Sequence, residues 1–226
     1  MKKLGTLILL ILFLTVTQLY GQRMEVFVGG NRNALFLRNN EVVRSSSFSP
    51  AFGFSAGIGL DSLVSGIFKT RLTLQFDSYE GTVQVGNGGV SNANVVEANF
   101  KKSIIAITYF PFNFRFRNKL DFNFGLEYSR LLNEKFMGTQ SGFNPIIGSF
   151  NYDLNEKYNR FSSKATFGFK VRVAYDFYLS KTLAICPEYM AFVGFSPEFE
   201  VAPASLARSF RQFACLGIRK KLNRKK

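Results

Sequence analysis

Residues 48–60, which read FSPAFGFSAGIGL, alternate between two kinds of side chain. The even-numbered positions are mostly large and apolar and include Phe52, Phe54 and Ile58, whereas the odd-numbered positions are serine, alanine or glycine. Successive side chains of a β-strand point to opposite faces of the sheet. This period of two therefore predicts a strand with one apolar face and one face of small residues.

The same alternation recurs along the chain and predicts an all-β protein of eight strands. It is clear in four of the segments, weaker in the last two, and poorest in the first, which Gly29, Gly30 and Asn31 interrupt, whereas Phe100–Phe116 is apolar on both faces. The predicted strands are Met24–Leu37, Phe48–Leu60, Phe68–Phe76, Phe100–Phe116, Leu120–Leu132, Phe161–Leu179, Leu183–Phe195 and Phe210–Leu222.

The connections between these strands alternate in length. The short ones are Asp61–Gly66, Arg117–Lys119 and Ser180–Thr182. Transmembrane barrels of the outer membrane have short turns at the periplasmic end and long loops at the outer end. The spacing therefore predicts an eight-stranded antiparallel up-and-down transmembrane β-barrel. Its long outer loops would be Arg38–Ser47, Glu80–Asn99, Asn133–Arg160 and Ser196–Ala207.

The choice of residues on the two faces indicates which face meets lipid. Eight strands enclose a narrow interior that could not hold the many Phe, Leu and Ile rings and chains of the apolar face. Small residues suit a crowded interior, whereas a strand facing water gains nothing from glycine. The alternative is a secreted, soluble, lipocalin-like barrel that binds a small apolar ligand in an apolar interior.

The N-terminus has the layout of a secretory signal peptide. Lys2 and Lys3 precede an apolar segment at 4–16, and the small residue Gly21 follows. An apolar segment of 13 residues is shorter than the roughly 20 that a spanning helix needs, which argues against an uncleaved anchor. We therefore expect a signal peptide at 1–21, a barrel domain at 22–226 and a location in the cell outer membrane.

Composition restricts the function. The formal net charge is +14, and an exported basic protein is expected to meet lipopolysaccharide phosphates or acidic lipid headgroups rather than nucleic acid. The chain has no histidine, which removes most zinc sites and the serine–histidine and cysteine–histidine nucleophile systems. We expect no enzyme activity, no catalytic or metal site and no cofactor.

Two segments resemble a known family. Residues Lys102–Leu132, KSIIAITYFPFNFRFRNKLDFNFGLEYSRLL, resemble the central hairpin of the porin-family, PorT-like outer-membrane β-barrels. Residues Arg208–Leu222, RSFRQFACLGIRKKL, are similar to the closing strand of those barrels, although that strand usually ends on an aromatic residue and here ends on Leu222. The resemblance implies an eight-stranded outer-membrane barrel of a Gram-negative cell envelope, inserted by the barrel assembly machinery, with both chain ends in the periplasm.

These observations favour a structural or binding role. Asn133–Arg160 is too long for a passive connection, and we expect it to contact an extracellular protein partner or lipopolysaccharide. The family resemblance also permits a role as a subunit of an export or gliding machine. A diffusion pore is disfavoured because eight strands leave an interior that side chains fill.

The connection lengths also predict which polar side chains meet inside the barrel. The short turn Ser180–Thr182 places Arg172 opposite Glu188, and the loop Asn133–Arg160 places Asp121 opposite Arg172. The final hairpin places Glu188 diagonal to Arg219. We expect these four residues to form a belt of alternating charge in the lumen, since unpaired charges there would be costly. A purely structural role for the belt is favoured over a plug that closes a pore.

Cys186 and Cys215 are the only cysteines. The predicted pairing of the last two strands offsets Cys186 from Cys215 by about four residues along the strands. At roughly 3.3 Å per residue, this separation exceeds the distance that a disulfide can bridge. We therefore expect two free thiols that point inward.

Overall fold

The computed structural model describes residues 23–37, 47–61, 69–88, 93–117, 119–154, 162–199 and 207–222. The predicted signal peptide and most of the predicted loop Arg38–Ser47 lie outside the described residues. All regular structure in the described ranges is β-strand. These ranges contain no helix long and apolar enough to cross a membrane.

Eight long strands, supplemented by three short ones, form a single antiparallel barrel. Each long strand pairs with its neighbour along the chain, and the last strand pairs with both the first and the one before it, which closes the sheet. The predicted eight-stranded up-and-down architecture is therefore confirmed. The strands are β1 Arg23–Leu37, β2 Ser47–Phe48, β3 Ala51–Asp61, β4 Lys69–Gly88, β5 Ala93–Phe116, β6 Leu120–Asn144, β7 Gly148–Leu154, β8 Ala165–Tyr175, β9 Phe177–Tyr178, β10 Leu183–Gly194 and β11 Ala207–Lys221.

The barrel closes along the seam between β1 and β11. All 15 residues of β1 have a partner on β11, from Arg23 opposite Lys221 to Leu37 opposite Ala207. Because the closing seam leaves neither of these strands as a free edge, the backbone donors and acceptors of the wall are satisfied within the protein. A closed barrel of this kind is one of the two structures that can span a lipid bilayer.

The side chains are arranged with apolar groups outside and polar groups inside. On β6, Leu126 and Tyr128 are exposed on the outer surface, whereas Glu127 between them is fully buried. The soluble lipocalin-like alternative is therefore wrong, because that barrel needs an apolar interior. The apolar band on the outer surface includes Met24, Val26, Val28, Phe54, Ile58, Leu74, Ile107, Phe112, Phe114, Phe124, Leu126, Tyr189, Leu216 and Ile218.

Polar residues mark both edges of this apolar band. Exposed Arg32, Lys101 and Arg130 are the first charged residues of the outer face toward the long loops on their strands, although Leu132 is still exposed just beyond Arg130. Toward the short turns, Lys220 follows Ile218. Residues beyond Lys101 and Arg130 on these strands therefore lie outside the lipid.

Two predicted loops are largely strand. Within Glu80–Asn99, β4 continues to Gly88 and β5 begins at Ala93. Within Asn133–Arg160, β6 continues to Asn144 and then turns back as β7. Backbone pairing does not require the apolar alternation that lipid imposes, so it continues where that pattern stops. The parts of β4, β5, β6 and β7 beyond the apolar band form a sheet that we call the outer sheet.

The predicted strand Phe161–Leu179 is interrupted, and its register inside the barrel differs from the predicted one. Apart from an isolated bridge between Ser162 and Phe199, the described pairing of this strand begins at Ala165. Asp176 lies between β8 and β9 and donates its backbone N–H to the carbonyl oxygen of Lys119 at 2.8 Å. Glu188 and Asp121 both lie opposite Ala174 rather than opposite Arg172. The break at Asp176 is not the cause, since β8 and β9 pair with β10 in the same register, which is centred on Lys181 of the turn. The predicted register was wrong by two residues.

Candidate functional site

The part of the lumen near the short turns is organised around Glu25 of β1, which is 1% exposed. Its carboxylate accepts hydrogen bonds from Arg71 of β4 at 2.8 Å, Arg172 of β8 at 3.0 Å and Arg219 of β11 at 2.8 Å. Three strands from different sides of the barrel therefore meet at one side chain, and alternation places all four residues on the inner face.

The four predicted belt residues all lie in the lumen, but they contact one another differently from the prediction. Arg172 forms an ion pair with Glu188, as expected, and donates to the amide oxygen of Asn123 at 2.8 Å. Asp121 is paired with Arg219 instead of Arg172. Glu25, which the sequence analysis did not identify, connects Arg172 to Arg219. The shift of two residues in register explains the exchange of partners.

Further charged residues complete this layer, which we call the inner network. Arg71 contacts Asp61 at 2.6 Å, and Arg219 contacts Asp176 at 2.7 Å. Asp176 also pairs with Arg115. Five carboxylates and five guanidinium groups thus balance in charge. The members are Glu25, Asp61, Asp121, Asp176 and Glu188 with Arg23, Arg71, Arg115, Arg172 and Arg219.

A second layer, the middle network, lies nearer the outer end. Glu127 accepts from both Lys170 and Arg211 at 2.7 Å. Arg211 also contacts Asp77 at 3.3 Å, and Asp77 accepts a hydrogen bond from Ser55 at 2.6 Å. Two acids therefore balance two bases, and all four side chains are buried.

The third layer, which we call the outer cluster, fixes the segment that follows β10. Glu198 of that segment contacts Lys102 at 3.0 Å and accepts a hydrogen bond from the Tyr79 hydroxyl at 2.8 Å. The Lys102 ammonium lies 3.9 Å from the ring centroid of Phe199, and both Phe199 and Glu198 are buried at the outer end of the lumen. A hydrophobic core that includes Phe100, Phe136 and Phe199 surrounds this cluster.

The electrostatics of the outer cluster favour an ionised Glu198. Burial alone would raise the pKa of the Glu198 carboxyl, but the positive charges of Lys102 and Arg211 outweigh burial and hold this pKa below its usual range. The donated hydrogen bonds from Lys102 and Tyr79 act in the same direction. The charged carboxylate therefore holds the segment after β10 in place.

These layers together close the described lumen. The cavity beside Tyr79, Lys102 and Glu198 has a volume of about 10 Å³, which leaves room for about one water molecule. Within the described ranges, no group of three or more cysteine or acidic side chains is arranged to hold a metal ion. The arrangement is suited to filling the interior of a barrel.

The two cysteines are free and buried, which confirms the thiol prediction. Cys186 lies opposite Gly217, and Cys215 lies opposite Glu188, so the two thiols are not partners across β10 and β11.

The hairpin of β6 and β7 carries the most exposed apolar side chains of the described structure. Asn144 accepts the backbone N–H of Ile146 at 2.8 Å, and Gly148 has a φ of 75°, which together form the turn. Ile146 is 92% exposed and Ile147 is 63% exposed. The rings of Phe150 and Tyr152 stack with centroids 5.4 Å apart. We call residues 143, 146, 147, 150 and 152 the outer tip; all of them are exposed except Phe150, which is half-buried.

The closed wall, the lipid-facing band and the polar interior identify a small β-barrel of the outer-membrane type. The short turns and long outer hairpins are those of barrels in the outer membrane, and the chain is placed there.

Comparisons with known proteins return solved structures only, since no family model and no curated protein matches the chain. The Neisserial surface protein A is 12% identical with a TM-score of 0.42, covering 89% of this chain and 97% of its own. Ail, the attachment invasion locus protein of Yersinia pestis, is 10% identical with a TM-score of 0.41, and the match covers 88% of this chain and 99% of Ail. The outer membrane protein OprG from Pseudomonas aeruginosa is 10% identical with a TM-score of 0.39, and the match covers 91% of this chain and 97% of OprG.

Proposed function

We propose that this protein is a closed outer-membrane barrel that holds a binding surface for an extracellular protein partner, and that this surface is the outer tip. The observation that carries the proposal is the cluster of exposed apolar side chains on the β6–β7 hairpin. Ile146 and Ile147 lie beyond the lipid, where exposed apolar groups are unfavourable. Contiguous apolar surface in water marks sites of protein interaction.

The rest of the fold supports this role. The outer sheet is continuous with the barrel wall, since β5 and β6 pair from Phe116 opposite Leu120 to Ala93 opposite Phe143. The tip is therefore held on a rigid ladder rather than on an unstructured loop. Aromatic residues such as Phe150 and Tyr152 commonly carry much of the binding energy in protein interfaces.

The proposal includes a narrower assignment to the porin-family, PorT-like barrels, with an N-terminal signal peptide directing export. The resemblance of residues Lys102–Leu132 supports it, since this segment covers the lower halves of β5 and β6 and the turn between them. On this assignment the partner would be another envelope protein, and the barrel would be a subunit of an export or gliding machine.

Lipopolysaccharide is a second proposed partner, through its phosphate groups. Lys101 and Lys135 lie opposite each other on β5 and β6, both exposed, and Arg130 is exposed nearer the apolar band. Like charges directly opposite one another destabilise a sheet. Glu80 compensates part of this charge, since it pairs with Lys101 at 3.4 Å, and a bound phosphate would compensate the rest.

The tip can be tested by cross-linking in intact cells. A photoreactive amino acid at Tyr152 is expected to give a discrete adduct with the partner. The double substitution Ile146→Ser/Ile147→Ser should abolish this adduct while leaving the heat-modifiable band of the folded barrel unchanged. The control places the photoreactive group at exposed Thr82 of the same outer sheet, where no adduct is expected. An adduct at Tyr152 that survives the double substitution would contradict the assignment to the tip.

A further inference from the structure

The end of the barrel with the short turns carries exposed charge of one sign. Its described acidic side chains, among them Asp61, Asp121 and Asp176, are buried in the inner network. The charged side chains that reach the surface at this end of the described structure are all basic. We call them the basic ring; they are Arg23, Arg117, Lys119, Lys181, Lys220 and Lys221.

The basic ring is not balanced by the inner network. Of its members only Arg23 takes part in an ion pair among the described residues, at 3.9 Å from Asp176. Since the inner network already contains equal numbers of acids and bases, the other five members leave a positive surface potential at this end. That potential attracts anions.

Two members lie at the boundary with the lipid. The Arg117 guanidinium is 5.2 Å from the ring centroid of Phe116, which is 57% exposed on the outer wall. Lys220 is exposed on β11 directly beyond the lipid-facing residues Leu216 and Ile218. An apolar wall that ends in cations is complementary to an amphiphile with an anionic head.

Three other members surround a cavity at the mouth of the barrel. The cavity has a volume of about 320 Å³, and Arg23, Lys181 and Lys221 line it together with Thr182 and Tyr178. Asp176 also lines it, but this carboxylate is already paired with Arg115 and Arg219 and does not cancel the nearby lysines. Ammonium groups beside hydroxyl groups are suited to holding a phosphate.

We propose that the basic ring binds an anionic phospholipid of the periplasmic leaflet. Its phosphate lies in the mouth cavity between Lys181 and Lys221, and its acyl chains lie along the exposed wall beside Ile218 and Leu216. A soluble acidic protein segment would also be complementary in charge to the basic side chains that line the cavity. It would not use Arg117 and Lys220, which face the lipid boundary, so the structure favours the lipid.

The test uses the full-length barrel in detergent, with native mass spectrometry to count retained lipids. Phosphatidylglycerol should be retained in preference to phosphatidylcholine at equal concentration. The substitution Lys181→Ala/Lys221→Ala is expected to lower phosphatidylglycerol retention by about tenfold. The matched control, Arg32→Ala/Lys164→Ala, removes the same charge from exposed positions toward the opposite end and should retain this lipid at the wild-type level.

Three outcomes would overturn the proposal. One is equal retention of the two lipids by the wild-type barrel, and another is equal loss in the two double variants. The third comes from a peptide of ten glutamates added to the barrel in phosphatidylcholine nanodiscs. If Lys181→Ala/Lys221→Ala abolishes peptide binding but leaves lipid retention unchanged, the cavity belongs to an acidic protein. None of these results bears on the outer tip.

Discussion

Glu25 is the residue on which the inner network depends, because three guanidinium groups from β4, β8 and β11 donate to its carboxylate. Each of these guanidinium groups is buried. Removing one partner of a buried ion pair leaves an uncompensated charge, which is far more costly than losing an exposed pair.

We therefore expect Glu25→Gln to lower the free energy of unfolding by about 3–5 kcal/mol. The amide preserves the shape of the side chain but withdraws the negative charge from Arg71, Arg172 and Arg219. The measurement is the temperature at which the folded band disappears on a heat-modifiability gel, supported by urea unfolding.

Glu80→Gln is the control for this prediction. The Glu80 side chain is 68% exposed and pairs with Lys101 at 3.4 Å on the outer surface, so its loss should cost at most about 1 kcal/mol. Equal stability of the two variants would show that Glu25 does not organise the lumen.

The sequence could not identify Glu25 for a physical reason. Two of its three partners, Arg71 and Arg172, lie across the lumen on strands that do not pair with β1, and only Arg219 lies on a neighbouring strand. In addition, β1 has the weakest alternation, because Gly29, Gly30 and Asn31 interrupt it. Arg172 and Glu188 were predictable as a pair because one hairpin connects them.

At the scale of single elements, alternation predicted the strands well inside the lipid and poorly beyond it. The ends of β4, β5 and β6 extend past the apolar band, where lipid no longer selects apolar residues on alternate positions. Their segments rich in Gly, Asn and Ser look like loops although their backbones are paired. The break at Asp176 was equally hidden, because alternation continues on both sides of it.

The seam between β1 and β11 supplies a prediction from two adjacent glycines. A Cβ atom on Gly29 would lie 2.1 Å from the Ala214 carbonyl oxygen, whereas one on Gly30 would have no neighbour closer than 3.8 Å. Gly29→Val should therefore prevent closure of the barrel, because the atoms that the new side chain would meet are backbone atoms of β11 and cannot move without breaking the pairing of the seam. Gly30→Val should assemble normally, and heat-modifiability in membrane fractions distinguishes the two. Equal assembly would show that the two strands do not approach so closely.

The segment after β10 should respond to acid. The pKa of Glu198 lies below its usual range, so its ionisation stabilises the folded segment above about pH 4.5 and this contribution is lost as the pH falls through the lower, folded pKa. Hydrogen exchange of the Glu198 amide, which donates to the Ala207 carbonyl at 2.9 Å, should therefore accelerate below about pH 4 after correction for intrinsic rates.

The charged groups around Glu198 define the control for this measurement. Lys102 and Arg211 are the neighbouring cations, and Tyr79 donates a neutral hydrogen bond. In Glu198→Gln the exchange should already be faster at pH 7 and should not change further in acid. The same acid response in this variant would assign the effect to other carboxylates.

At the scale of the whole molecule, polarity is reversed relative to a soluble protein, with balanced charge inside and apolar side chains outside. The inner and middle networks and the outer cluster cross the lumen at successive heights. The architecture and the direction of the two faces were predictable from composition, because eight strands cannot enclose so many aromatic rings.

We expect the reconstituted barrel to conduct no ions across a planar lipid bilayer. Each level of the lumen is occupied by paired side chains, and breaking several buried ion pairs at once would be required to open a path. Single-channel recording checks this, with a porin of 16 strands as the positive control. Regular conductance steps from the purified barrel would contradict a closed lumen.

The seam that joins β1 to β11 also restricts how the protein can fold. Arg23 lies opposite Lys221, so the contacts that close the barrel join residues nearly 200 positions apart. Contacts of such high sequence separation slow folding, because the entropy of bringing distant segments together is lost before any pairing rewards it. Until β11 is available, β1 has only β3 as a neighbour and presents an open edge that other chains can join. We therefore expect aggregation to compete with folding in the interval before the barrel closes.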